Sequence, residues 1–123
     1  MKGKKILVAE HEVHILRSLK LVLEEAGYSV VTAADGEEAL HKTKKEKPDL
    51  LILDSKMRTM NGYEVYSRLQ ADPLHGDIPA MILTALGQAD RKPEKLGAHI
   101  VDVITKPFSP YSILDRVKEI LKN

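Results

Sequence analysis

Short apolar runs alternate with longer stretches of helical periodicity along the whole chain. The runs are KILVA (5–9), YSVVTA (28–33), DLLILD (49–54), PAMILT (79–84) and IVDVIT (100–105). They are near-continuously apolar, as strands covered on both faces must be; a half-exposed strand would alternate with a period of two. Between the first two runs, Ile15, Leu16, Leu19, Val22, Leu23 and Ala26 return at the spacing of one helix face, and Gly27 ends it. After the fifth run, Ser109 can cap a helix, Pro110 suits its first position, and Ile113, Leu114, Val117, Ile120 and Leu121 form a stripe. Strand–helix units in succession predict an α/β fold: a parallel sheet with helices on both faces and right-handed crossovers. One segment fits badly. LGQADRKPEKLGA (86–98) has few apolar positions, Pro93 at its middle and Gly97 near its end. A proline inside a helix costs about 3 kcal/mol, so the fourth helix is expected to be short, broken near Pro93, or mobile.

Composition narrows the class. The 123 residues suit one domain, read here as 1–123, with no repeat, low-complexity stretch or linker. A net charge of +1 speaks against direct nucleic-acid binding, which usually needs a strong basic excess. The basic stretch HKTKKEKP (41–48) reads as a solvated helix end, because Glu46 interrupts it and cations favour helix C-termini. There is no cysteine, which excludes disulfides, zinc–thiolate sites and thiol catalysis. No apolar run approaches the roughly 20 residues of a membrane span, and MKGKKILVAE lacks the long apolar stretch of a signal peptide. A cytoplasmic protein without membrane contact is expected. With four Tyr and one Phe, the core must be Leu, Ile, Val and Ala.

Chemistry in an open parallel sheet gathers at the C-terminal ends of the strands. Glu10 and His11 follow the first run, Asp54 ends the third, Thr84 ends the fourth, and Lys106-Pro107 follows the fifth. Taken singly, Asp54 could cap a loop, Thr84 could satisfy backbone, and Lys106 could be a surface cation. VAEHEVHIL (8–16) packs Glu10, His11, Glu12 and His14 into five residues. That stretch admits a metal site, an altered version of another site, or a charged helix start. It is one residue short of the H-E-x-x-H zinc motif, although His11 and His14 can share a helix face.

The set as a whole resembles a response-regulator receiver domain of two-component signalling. The resemblance rests on KKILVAE, LVLEEAGYSVVTAADGEEAL, PDLLILDSKM, MNGYEV, IPAMILTA and ITKPFSP, and covers essentially the whole chain. It implies a flavodoxin-like, doubly wound five-stranded sheet of order 2-1-3-4-5 with five helices. It implies that Asp54 accepts a phosphoryl group from a phosphohistidine on a histidine kinase or phosphotransfer protein, and that the signal passes to a downstream protein target or output domain. Such a protein is no enzyme beyond catalysing its own phosphorylation and dephosphorylation. The family holds Mg²⁺ with two acids after the first strand, the acceptor, and the backbone carbonyl two residues beyond it. Those positions are Glu10, His11, Asp54 and Lys56. Thr84 matches the hydroxyl that meets the phosphoryl group, and Lys106 the ammonium that pairs with it, usually before a cis proline.

The chain departs from that pattern at several points. Asp-Asp is replaced by Glu10-His11, and a nitrogen donor suits Zn, Ni or Cu better than Mg²⁺. Glu10 is one methylene longer and can reach inward, but Mg²⁺ affinity is expected to fall. Glu12 and His14 are assigned to the helix start and its surface. Lys56 replaces a small or polar residue, its ammonium directed either into the site or to solvent, and Arg58 replaces a turn proline, which should loosen the loop. Val103 stands where the family often has an aromatic switch, and Gly97-Ala98 comes two residues early. The principal reading is a phospho-accepting receiver with altered metal dependence and output. The alternative is a pseudo-receiver, an interaction module with little or no phosphorylation. A flavodoxin would need a Ser/Thr/Gly-rich first loop, and a dehalogenase-type phosphatase an acid at position 56; neither is present. No output domain follows Asn123 in the sequence, which leaves open a stand-alone receiver or a piece of a longer regulator.

Overall fold

A computed structural model describes residues 3–85 and 97–122. Five parallel strands form one sheet of order β2-β1-β3-β4-β5. They are β1 (Lys5–Ala9), β2 (Ser29–Ala33), β3 (Leu50–Asp54), β4 (Ala80–Thr84) and β5 (Ile100–Thr105). Four helices, α1 (Val13–Glu25), α2 (Gly36–Glu46), α3 (Gly62–Gln70) and α4 (Pro110–Leu121), are found among the described residues, not the five expected. The missing one is the helix expected over 86–98, of which 86–96 lie outside those residues.

Alternation of side chains along each strand explains why the runs are apolar throughout. Leu7, Ala9, Leu51, Leu53, Ala80 and Ile82 point to one face and meet Ala39 of α2 and Val65, Tyr66 and Leu69 of α3. Ile6, Val8, Leu50, Ile52, Met81 and Leu83 point to the other and meet Leu19, Val22 and Leu23 of α1 and Ile113, Leu114 and Val117 of α4. Each fully buried Leu or Ile contributes about 1.5–3 kcal/mol. The edge strands differ from the centre: β3 and β4 are buried at every position, whereas β2 and β5 are half-buried over most of their length. Ala80 pairs with Ile100 but Met81 with Asp102, so β5 carries a bulge at Val101.

Helix boundaries follow local chemistry. α1 stops before Gly27, whose φ of 103° is the left-handed conformation that favours glycine. Ser109 accepts from the Tyr111 N–H at 3.1 Å and Pro110 opens α4. Lys44 and Lys45 occupy the last turn of α2, where cations suit the helix dipole. Two side-chain caps open the middle helices. The Asp35 carboxylate accepts from the Glu38 N–H at 2.8 Å, and Asn61 forms a reciprocal capping box with Glu64. Among the described residues no helix is long and apolar enough to cross a membrane.

Candidate functional site

The strand order decides which loop residues meet. β1 and β3 are neighbours, as are β3 and β4, and β4 and β5. The residues at their C-terminal ends are therefore brought together although they lie up to 96 positions apart in sequence. Backbone bonds hold the ends in register: Glu10 N–H to Ala33 O at 3.1 Å, Ser55 N–H to Leu83 O at 2.7 Å, and Lys106 N–H to Thr84 O at 2.7 Å. The Lys106–Pro107 peptide is cis.

Asp54 is almost fully buried, as is Glu10. Lys106 Nζ stands 3.0 Å from Glu10 Oε1 and 3.2 Å from Asp54 Oδ2. Asp54 Oδ1 accepts from the Lys56 N–H at 3.2 Å, and Glu10 Oε2 accepts from the Glu12 N–H at 2.9 Å. His11 also faces inward. Its Nδ1 contacts Asp54 Oδ2 and lies 3.4 Å from Glu10 Oε2, with the side chain still 43% exposed. Thr84 is fully buried and its hydroxyl accepts from Ser55 Oγ at 3.4 Å. A cavity of about 210 Å³ opens over Asp54, lined by His11, Asp54, Ser55, Lys56 and Lys106 among others. A larger one of about 650 Å³ lies beside it, lined by His11, Ala34, Lys56, Met57, Arg58 and Asn61.

The two carboxyls are driven apart electrostatically. Burial holds Glu10 above the usual carboxylate range and the Asp54 charge adds to this, against the Glu12 N–H and Lys106. Burial acts on Asp54 in the same sense, but hydrogen bonds from Glu10, the Lys56 N–H and His11, with the Lys106 charge, together hold it low. Asp54 is thus the more anionic of the pair. Burial opposes charge on Lys106 too, and is outweighed by Glu10 and Asp54, so the ammonium is held above its ordinary value.

Two residues join the site and one expectation changes. Glu12 stands at the start of α1 and is exposed, as expected, and its Oε1 also lies 3.5 Å from Lys106 Nζ and 4.0 Å from His11 Nε2, which puts it on the rim of the pocket. Ser55 joins through Thr84, which only the β3–β4 pairing could reveal. The loop after Asp54 is tied down despite lacking the turn proline, because the Arg58 carbonyl accepts from Gly36 N–H at 3.0 Å and Met60 N–H at 2.8 Å. Thr59 adopts a left-handed φ of 68° between those anchors. His14 lies apart, beside a small cavity with Phe108 and Pro110. Val103 packs against the α2–α3 side of the core.

Could these residues hold a divalent cation? Among the described residues, Glu10, His11 and Glu12 each offer a ligand atom, all within 4.8 Å of one another. Glu10 Oε1 is buried and accepts no hydrogen bond of good geometry, although the Lys106 ammonium is near it. A buried oxygen in that condition favours a cation beside it. The oxygen donors of Glu10 and Asp54 fit Mg²⁺; the imidazole of His11 does not.

The family model for the response regulator receiver domain matches residues 6–118. The alkaline phosphatase synthesis transcriptional regulatory protein PhoP of Bacillus subtilis is 44% identical over 98% of this chain and 49% of its own length. The phosphate regulon transcriptional regulatory protein PhoB of Pseudomonas aeruginosa is 38% identical over 99% of this chain and 53% of its own length. The chain thus spans about half the length of the curated relatives it matches. Among solved structures, a chemotaxis response regulator of Vibrio cholerae superposes with a TM-score of 0.83 at 30% identity, covering 98% of this chain and 100% of the other. The receiver domain of a Francisella response regulator does so with a TM-score of 0.85 at 30% identity, covering 96% of each. A family-model match over residues 6–118, with relatives and solved structures similar over nearly the whole length, shows that this chain belongs to the response regulator receiver domains.

Proposed function

We propose that Asp54 is the phospho-acceptor of this receiver. The observation that carries this is the pairing of a buried carboxylate, held low, with an ammonium 3.2 Å away beneath an open cavity. An Asp54 oxygen attacks phosphorus, the N–P bond of a donor phosphohistidine breaks, and the leaving imidazole takes up a proton. Charge then builds on the phosphoryl oxygens. Lys106 follows it from its present position between Glu10 and Asp54, and the Thr84 hydroxyl turns from Ser55 to the new oxyanion. Glu10, Asp54 and the Lys56 carbonyl would hold Mg²⁺, less tightly than a three-carboxylate pocket would, and the ion would neutralise the incoming phosphoryl charge. The partners are a histidine kinase or phosphotransfer protein upstream and a protein target or output domain downstream. Self-catalysed phosphorylation from a small donor belongs to the same reading, and gives the test. With acetyl phosphate and a divalent ion, mass spectrometry should show one phosphoryl group on the wild type and none on Asp54→Ala. No gain on the wild type, with no spectral response to beryllofluoride, refutes the reading. An interaction module without phosphoryl acceptance is the less favoured alternative, because the acceptor, the hydroxyl and the lysine remain together.

A further inference from the structure

His11 is the residue of the pocket that least suits magnesium. Its Nδ1 lies 3.4 Å from Glu10 Oε2 and hydrogen-bonds Asp54 Oδ2, so a nitrogen and two carboxylates line one point of the pocket, and an ion bound there takes the place of the His11–Asp54 hydrogen bond. We propose that the divalent-ion site of this chain is a mixed nitrogen–oxygen site, in which His11 Nδ1, Glu10 and Asp54 hold a first-row transition ion such as Zn²⁺ in preference to Mg²⁺. The proposal deepens the phospho-acceptor reading by naming the ion class of the same pocket, and rests on that reading for its place in signalling.

Three observations support it. Two ligands each about 2.1 Å from a tetrahedral ion stand roughly 3.4 Å apart, and the spacing of His11 Nδ1 and Glu10 Oε2 is 3.4 Å. Mg²⁺ seeks an octahedron of oxygens, whereas imidazole favours the later divalent ions of the first transition row. Glu10 has a fully buried side chain whose Oε1 accepts no hydrogen bond of good geometry and faces the Lys106 ammonium at 3.0 Å, so the pocket floor is one where positive charge is held. Glu12 stands within reach at the rim, with a ligand atom within 4.8 Å of those of Glu10 and His11. The ammonium of Lys106 is the competing cation, 3.0 Å from Glu10 and 3.2 Å from Asp54. It discriminates little between ions of equal charge, so the selectivity falls to His11. A helix-face pair of His11 and His14 is a poorer site, because His14 lies beside Ser18, Phe108 and Pro110.

The test is direct binding, independent of phosphorylation. Zn²⁺ and Mg²⁺ are titrated into the chain by calorimetry, and the imidazole nitrogens are followed by ¹⁵N NMR. One Zn²⁺ should bind per chain and shift the His11 Nδ1 resonance at saturation. In His11→Asp the ratio of Zn²⁺ to Mg²⁺ affinity should fall at least about tenfold, while His14→Ala leaves it unchanged. An unmoved His11 nitrogen in the wild type, an unaltered ratio in His11→Asp, or loss of Zn²⁺ in His14→Ala overturns the proposal. The nitrogen readout needs no variant, so it stands even if His11→Asp folds poorly. Mass gain at Asp54, measured separately with each ion, reports on the phospho-acceptor reading, so the two can fail independently.

Discussion

Replacing Lys106 with methionine tests the electrostatics of the pocket most severely. Methionine keeps much of the apolar stem and removes only the ammonium. That ammonium lies 3.0 Å from Glu10 Oε1, 3.2 Å from Asp54 Oδ2 and 3.5 Å from Glu12 Oε1, and the Lys106 side chain is only 16% exposed. At an effective dielectric of about 20, each of the two shorter pairings has a gross Coulomb energy of roughly 5 kcal/mol. Desolvation of the three groups offsets most of it, and breaking such a buried cluster typically costs about 3–5 kcal/mol. The sign with pH follows from Glu10. Its carboxyl is already held above the usual range by burial and by Asp54, and loss of Lys106 raises it further. A group with a raised folded-state value contributes stability below its unfolded value and loses it as pH rises through the folded one. Lys106 itself, held above the ordinary lysine value, contributes no slope in the neutral range. Urea denaturation of Lys106→Met should therefore show a loss of roughly 3–5 kcal/mol at a pH well above the raised Glu10 value and a clearly smaller loss at a pH below it, where Glu10 is protonated. Equal losses at both pH values, or a loss below about 1 kcal/mol at the higher one, would mean that the ammonium does not act as the counter-charge of the pocket.

Glu10→Gln should flatten the wild type's decline in stability as pH rises through the raised Glu10 value, a decline of at most about 1.4 kcal/mol per pH unit; denaturation midpoints across that range decide, and an unchanged slope would assign the proton to another group. Gly62→Ala would put a Cβ 2.4 Å from the Asp54 carbonyl oxygen and 3.1 Å from Leu53 Cβ, pushing the start of α3 off the end of β3. It should cost about 1–3 kcal/mol and slow labelling of Asp54 by acetyl phosphate, and unchanged values of both would show that the approach is not tight. Tyr66→Phe removes the hydroxyl that accepts from the His99 N–H at 2.8 Å. Leaving that part-buried donor unpaired should cost about 1–3 kcal/mol and speed amide exchange at His99, which hydrogen-exchange NMR would show.

The parts of this structure legible in the sequence are those set by local periodicity. A five-residue run such as LLILD must be covered on both faces, and it is. Strand order came only through the resemblance, because nothing in the runs says which lies beside which. The capping pair Asn61 and Glu64 has a local spacing legible in the sequence, N-x-x-E at the start of a helix. Glu12 and Ser55 had no such signal. Each enters the site through a partner 29 or more positions away, Lys106 and Thr84 respectively, so its role exists only once the sheet has formed. The same holds for the loop at Arg58, whose anchor is the Gly36 amide rather than its own turn residues.

His11 shows why the chemistry of such a pocket varies more freely than its fold. The neighbouring Glu10 is sealed beneath the loops, but the His11 side chain is 43% exposed at the rim. A change at that position alters the donor atoms offered to an ion while leaving strand pairing and both faces of the core untouched. Hydrophobic periodicity therefore cannot register it, and the stability of the fold constrains it weakly. What constrains it is charge. Glu10, Glu12 and Asp54 share one ammonium within 3.5 Å, so the pocket tolerates a neutral or cationic side chain at His11 more easily than a fourth carboxylate. With Glu12 drawn to the rim and Lys106 lodged between the acids, an imidazole at position 11 relieves repulsion that an aspartate there would increase.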